Sequence, residues 1–243
     1  IKYYKTVDST NNAAKKAALE DAAEGTVIVS EAQGSGRGRI GRGWFSPSQK
    51  GIWFSIILRP QFLPQEAPKC TLMAAVAITK AISAITGVTV GIKWPNDILY
   101  NGKKLVGILT EMNAEMDRIN YIIIGMGVNV NISEQDMPAD IGQIATSLLQ
   151  ITGAKVSRAS LLAQILLELE RAYYDIKQYG FSTILAEWKK YSVTLGNNVK
   201  VISVNETFYG KAIDIDDYGA LLIDTGKKVV RVLAGDVSIR SAK

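Results

Sequence analysis

Asn101-Gly102 stands between two apolar runs in the stretch VTVGIKWPNDILYNGKKLVGILTEM. Both residue types tolerate positive φ, so the pair predicts a two-residue type I′ hairpin. Ile98–Tyr100 and Lys104–Glu111 are then expected to pair antiparallel. Hairpins of this kind, mixed with helices that do not alternate one-for-one with strands, favour an α+β fold. The expected sheet is mixed, mostly antiparallel, and flanked by helices.

The remaining elements follow from punctuation and period. Ser9 to Glu24 is expected to be a helix, with Ser9, Thr10 and Asn11 as N-cap candidates and Gly25 as its stop. Thr26 onward (TVIVSE) and Gly51 to Arg59 (GIWFSIILR) are strands, the second broken by Pro60. Pro68 to Thr86 is a long apolar helix stopped by Gly87. NYIIIGMGVNVN is a further strand, followed by helices at Leu161–Tyr179 and Ser182–Tyr191. From Val193 onward helix signals cease, and short strands alternate with turns at GNN, DDYG, TGKK and AGD. A boundary is therefore placed between residues 192 and 193. Residues 193–243 are expected to form a small β-barrel.

Composition narrows the chemistry. The 243 residues include no histidine. That removes the Ser-His-Asp triad, the Cys-His pair and any His-ligated zinc site. Chemistry then falls to Lys, Arg, carboxylates, hydroxyls and backbone amides. Such groups suit phosphoryl and nucleotidyl transfer, where positioning and charge stabilisation dominate. The net charge of +5 suits an anionic substrate. The lone Cys70 permits no intrachain disulfide, which fits a reducing cytoplasm. No secretory segment is recognised at IKYYKTVDST, and no apolar run is expected to reach the roughly 20 residues that span a bilayer.

Four segments combine glycine with polar groups beside apolar strands. In GSGRGRIGRGWF, Gly36, Gly38 and Gly41 permit close approach, and Arg37, Arg39 and Arg42 supply forked donors for phosphate or carboxylate. The loop is neither a Walker A sequence nor a dinucleotide fingerprint. Its other readings are an arginine tract for nucleic acid and a solvated surface loop. KWPND places Asn96 and Asp97 after a rigid Trp94-Pro95 turn. In GKKLVGIL, alternation sets Lys104 on one face with Val106 and Ile108, and leaves Lys103 to solvent. In GMGVNVN, Asn129 and Asn131 fall on one face, within reach of a base or ribose. Together these segments point to a phosphate-containing ligand without identifying the reaction.

Read in order, DSTNN, GSGRGRIGRGWFSP, KWPND, GKKLVGIL and GMGVNVN resemble the catalytic region of biotin–protein ligases, also called biotin–acetyl-CoA-carboxylase ligases. The final segment, YGALLIDTG…AGDVSIRS, resembles that family's small SH3-like C-terminal domain. The resemblance implies activation of biotin by Mg-ATP to biotinyl-5′-AMP, then transfer to a lysine of a biotin carboxyl carrier domain. It implies that Ser9, Thr10, Asn11 and Gln33 line the biotin site. Gly36, Arg37, Gly38 and Arg39 would form a loop closing over biotin and the adenylate. Arg42 would reach the ATP phosphates and Trp44 would pack near the nucleotide. Lys104 would contact the biotin carboxylate and the α-phosphate, and Gly107 would leave room for the bicyclic ring. Asn129, with Asn131 beside it, would meet the adenosine, and Asp97 would orient or deprotonate the acceptor lysine. Magnesium is expected with ATP rather than on a protein motif.

Ile40 departs from the arginine some members carry in the loop, and Gly34-Ser35 differs from the usual residues before Gly36. No helix-turn-helix pattern precedes the first motif, so no DNA binding is expected of this chain. A cytoplasmic enzyme, without membrane attachment and with a homodimer as one assembly, completes the expectation. A lipoate–protein ligase is the nearest alternative, and a nucleic-acid-binding module the alternative from a different class.

Overall fold

The computed structural model describes residues 1–203 and 206–234 in full, and 238–241 as backbone. The order of elements is β1 (Lys2–Val7), α1 (Thr10–Leu19), β2 (Val27–Gln33), β3 (Gly51–Leu58), α2 (Pro68–Thr86), β4 (Gly91–Lys93), β5 (Asp97–Tyr100), β6 (Lys103–Ala114) and β7 (Ile119–Asn129). Then come α3 (Ala139–Gly142), α4 (Leu148–Thr152), α5 (Arg158–Tyr179), α6 (Ser182–Tyr191) and strands β8 (Asn198–Ile202), β9 (Thr207–Ile215), β10 (Leu221–Asp224), β11 (Val229–Val232) and β12 (Ser238–Ser241).

The first seven strands make one sheet in the order β1-β2-β3-β7-β6-β5-β4. Only the β1–β2 pair is parallel, and the other ladders are antiparallel. The hairpin expected at Asn101-Gly102 joins β5 to β6, with φ of 47° and 79° at the two turn residues. The sheet is therefore mixed and mostly antiparallel, within an α+β fold.

Its two faces are packed differently. Val106, Ile108, Ile122, Ile124 and Met126 meet the long helix α2, which α5 and α6 cover from outside. Each such aliphatic side chain contributes about 1.5–3 kcal/mol on full burial. By length and composition, Pro64–Thr86 is apolar enough to cross a membrane, contrary to the expectation above. Here its residues are mostly buried between the sheet and the outer helices. On the opposite face, Ala14, Ala17 and Ala18 of α1 sit on Ile28, Ile57 and Ile123. From the head of α1 onward this face carries Gly107, Gly125 and Gly127, so much of it has no side chain of its own.

The structure corrects several expectations. α1 stops at Leu19 rather than Glu24, because Asp21 turns left-handed (φ 57°) and the Arg59 guanidinium takes the carbonyls of Ala18 and Ala22. β1 was not anticipated: all but Val7 are exposed, so it shows no alternation between faces. The turn expected at Ala234-Gly235-Asp236 lies largely outside the described residues. The C-terminal strands form a five-stranded antiparallel ladder, β11-β10-β9-β8-β12. Among the described residues no pairing closes that ladder into a barrel. Lys69 of α2 fastens its β9–β10 turn to the helical layer of the larger unit. This nearly buried ammonium holds Glu66 Oε1 at 2.8 Å and the Asp217 carbonyl at 2.9 Å.

Candidate active site

The bare stretch of sheet beyond α1 is the floor of a cavity of about 450 Å³, within the range of small-molecule sites. Four pieces wall it, the last of them the Lys93–Asp97 turn. One is the first turn of α1. Another is the Gly34–Phe45 loop. The third is the segment carrying Met137, Ile141, Ile144 and Ala145. Gly125 and Asn129 lie at opposite ends of the floor. They are four strand steps apart, or roughly 13 Å at about 3.3 Å per residue.

At one end the head of α1 is a buried polar network. Ser9, Thr10 and Asn11 are 2%, 4% and 3% exposed. The Thr10 backbone N–H donates to Gln33 Oε1 at 2.8 Å, and Gln33 Nε2 donates to Ser46 Oγ at 2.8 Å. Ser55 Oγ lies 2.8 Å from Thr10 Oγ1 and 2.7 Å from Asn11 Oδ1. Asn11 Nδ2 donates to Glu111 Oε2 at 2.7 Å and to the Leu109 carbonyl at 3.2 Å. Gly125 makes this possible. A Cβ there would lie 1.9 Å from Asn11 Oδ1, inside any permitted contact.

Lys104 occupies the middle of the floor, for a reason alternation alone does not supply. Between β5 and β6 the register shifts: Leu99 pairs with Lys104, but Ile98 pairs with Val106. Leu105 is thus an extra residue in β6, a β-bulge that re-aims its neighbour. The expectation that Lys104 shares a face with Val106 and Ile108 is corrected. Those two face α2, whereas the Lys104 side chain lies over Gly107. Its Nζ is 2.6 Å from Asp97 Oδ1 and 5.1 Å from the centre of the Trp44 ring. Its backbone N–H donates to Ile144 O and its carbonyl accepts from Thr146 N, which fastens the third wall to the floor.

Trp44 packs flat on the glycines. A Cβ at Gly107 would lie 2.6 Å from its ring, and one at Gly127 2.3 Å from its Nε1. The room at Gly107 is thus taken by Trp44. The loop bearing Trp44 is a narrow hairpin, with Gly38 N donating to Arg42 O and Trp44 N to Gly36 O. Arg37 pairs with Glu111 at 3.0 Å and donates to Asn12 Oδ1 at 2.8 Å. Arg39 donates to Asn96 Oδ1 at 3.0 Å and to the Ala234 carbonyl at 3.2 Å. The Arg42 side chain is exposed at the hairpin tip.

Thirteen of the residues singled out in the sequence line this cavity: Ser9, Thr10, Asn11, Gln33, Arg37, Gly38, Arg39, Arg42, Trp44, Asp97, Lys104, Gly107 and Asn129. Gly36 and Asn131 do not. Gly36 is packed against Trp44 O and Ser46 Oγ, where a Cβ would come within 2.4 and 2.8 Å. Asn131 is turned away, its amide bonded to both the N–H and the carbonyl of Val156 at the entry to α5. Asn129, 5% exposed, donates to Thr146 O and stays at the cavity's far end. Asn96, which the KWPND segment had offered beside Asp97, also lines the cavity, whereas Glu111 and the apolar wall at Met137–Ala145 were not anticipated. The wall did carry one signal, apolar residues at spacings of three and four (Met137, Ile141, Ile144) in an otherwise polar loop.

The sequence profile of the "Biotin/lipoate A/B protein ligase family" matches residues 3–129, and that of "Biotin protein ligase C terminal domain" matches residues 194–240. A bifunctional ligase/repressor of Bacillus spizizenii is 45% identical over 98% of this chain and 73% of its own length. A biotin–[acetyl-CoA-carboxylase] ligase of Mycobacterium tuberculosis is 33% identical over 88% of this chain and 79% of its own. Among solved structures, the biotin protein ligase of Aquifex aeolicus in complex with biotin and ATP superposes with a TM-score of 0.86. It is 29% identical, over 99% of this chain and 98% of that one. The profile matches and the level of identity place this chain in the biotin/lipoate A/B protein ligase family, among the biotin protein ligases.

Proposed function

We infer that the chain couples ATP to the attachment of biotin to a lysine of a biotin carboxyl carrier domain. The observation that carries this is the position of Lys104, whose side chain lies over Gly107 midway along a two-ended floor. In this reading biotin lies toward Thr10, Asn11 and Gly125, and adenosine toward Asn129 and the Met137–Ala145 wall. A biotin carboxylate oxygen attacks the α-phosphorus, the bond to the bridging oxygen breaks, and pyrophosphate leaves. Bringing two anions together is the main barrier. Lys104 and Arg39 lower it by facing the charge that develops, and the closed site strengthens both. Arg37, Gly38 and Arg39 cover the adenylate, and Arg42 meets the outgoing phosphates. The acceptor amine then attacks the biotinyl carbonyl carbon, AMP leaves, and Asp97 takes the proton released as the amide forms.

Among the described residues no three His, Cys, Asp or Glu side chains cluster as a metal cage. Magnesium is part of this proposal as the ion that would enter with ATP and would offset the charge of its phosphates. The division into residues 1–192, carrying the site, and 193–243, the C-terminal sheet, is part of the same reading, as is a cytoplasmic location. Lipoate is disfavoured by the match to a biotin ligase C-terminal domain. A nucleic-acid module is disfavoured because Trp44, its one loop aromatic beside Phe45, is packed on glycines rather than offered for stacking.

The test is direct. The chain is incubated with Mg-ATP, an acceptor domain, and either biotin or lipoate, and the acceptor is weighed by mass spectrometry. A biotin-sized gain on one lysine is expected. No gain, or a gain only with lipoate, refutes the reading. Sedimentation with and without biotin reads the homodimer.

A further inference from the structure

Glu111 is a carboxylate that bonds both Arg37 of the Gly34–Phe45 loop and Asn11 at the head of α1. It lies on β6 two residues beyond Leu109, on the same face as Gly107, where β5 has already ended. One oxygen, Oε1, sits 3.0 Å from Arg37 Nη2. The other, Oε2, sits 3.4 Å from Arg37 Nη1 and 2.7 Å from Asn11 Nδ2. Arg37 Nη1 also donates to Asn12 Oδ1 at 2.8 Å. The guanidinium is thus met on both nitrogens by Glu111 and on one by the helix. The pair is only half-buried.

Two properties follow. A forked guanidinium–carboxylate contact fixes orientation as well as distance. And because Oε2 is shared, the amide of Asn11 and the position of Arg37 are set by the same group. With Oε2 accepting from Nδ2, the Asn11 amide is held with its oxygen toward Ser55 and Gly125. Among the described residues Arg37 makes no other ion pair within 4 Å, although the Asp8 carboxylate, bonded to the same Asn12, also feels its charge.

We propose that Glu111 is a positioning residue: it latches Arg37 of the loop to the wall of the biotin end, and so sets how long the adenylate stays enclosed. This rests on the reading above that the loop closes over an adenylate. Glu111 holds the closed loop and leaves the phosphates and the nucleotide end alone.

The experiment follows release of preformed biotinyl-adenylate from the full chain in a chase with unlabelled biotin. It compares wild type, E111Q, R37A and the double variant, with KM for ATP measured alongside. E111Q is expected to speed release about three- to tenfold, the size of a lost half-exposed forked ion pair. R37A should do at least as much. The double variant should be no faster than R37A, because the two residues act as one unit. KM for ATP should stay within about twofold of wild type for E111Q, whereas a general loosening of the fold would raise it too. E111D, which keeps the charge, should recover part of the effect. Unchanged release in E111Q overturns the assignment, as does multiplication of the two single effects. If wild type forms no adenylate at all, the functional reading fails and takes this inference with it. If wild type holds its adenylate and E111Q holds it equally long, only the role of Glu111 fails.

Discussion

Replacing Gly125 by alanine should damage the biotin end of the site while adding a single methyl group. The new Cβ would stand 1.9 Å from Asn11 Oδ1 and 2.8 Å from its Cγ. Strand β7 cannot give way, because it is paired on both sides, to β3 and β6. Asn11 must therefore move. Its contacts to Ser55, to Glu111 and to Leu109 O would be lost or lengthened. Two lost hydrogen bonds at about 1 kcal/mol each, plus overpacking of about 1–2 kcal/mol, give a cost of roughly 2–4 kcal/mol. For a chain of this size that lowers Tm by roughly 5–15 °C. The head of α1 moves with Asn11, so KM for biotin in adenylate formation should rise about ten- to hundredfold.

The matched control is Gly25→Ala. Gly25 has φ of 81° with nothing within 4 Å of the added Cβ, so it costs about 1–2 kcal/mol of backbone strain far from the cavity. Its Tm should fall while KM for biotin stays put. Differential scanning fluorimetry and pyrophosphate-release kinetics on both variants decide the matter. A G125A enzyme with wild-type KM for biotin would show that Asn11 does not shape that end. An equal rise in G25A would show that KM merely tracks stability.

Other outcomes are equally open to measurement. Lys104→Gln should lower the rate of adenylate formation by about 10²–10³ while Tm changes little, read by pyrophosphate release. Burial pushes the Cys70 thiol up to about 12, so a thiol reagent at pH 8 should leave the native chain unlabelled and react on unfolding. Because that folded value lies above the unfolded one, the stabilisation from keeping the thiol protonated is present below about pH 8.5 and is lost as pH rises toward 12. The Ser133 hydroxyl, then Lys50, hold the Asp136 carboxyl down at about 2. Its contribution is complete above the ordinary carboxylate range and disappears as pH falls through about 2. NMR titration should place this carboxyl there, and Ser133→Ala should move it upward.

Much of the fold was legible because its signals are local. The Asn101-Gly102 turn, the helix at Pro68–Thr86 and the change of character after residue 192 each depend on a few neighbouring residues. β1 was not legible, because its place beside β2 comes from pairing rather than from its own pattern. At the site, glycines and arginines marked the loop and the floor. The facing of Lys104 was missed because one extra residue, Leu105, shifts the register, and alternation has no way to announce a bulge. Asn131 was misassigned for the converse reason. β7 ends at Asn129, so the period of two no longer holds beyond it. Glu111 escaped notice because an acidic residue late in a strand reads as solvent-facing until its partners, 74 and 100 residues earlier in the chain, are brought to it.

The ladder between β3 and β7 also governs how the chain can be made. It joins Gly51–Leu58 to Ile122–Asn129, so β3 leaves the ribosome with one edge waiting for a partner about seventy residues away. At 5–20 residues per second that interval is roughly 4–14 s. Throughout it Ile52, Trp53, Phe54, Ile56 and Ile57 form an apolar strand that has α1 already made to pack on one face, while α5, which it also contacts, and its β7 edge partner are still to come. Slow codons or truncation between residues 90 and 120 would lengthen that exposure. Nascent chains arrested there should be the ones that chaperones hold and that aggregate when released.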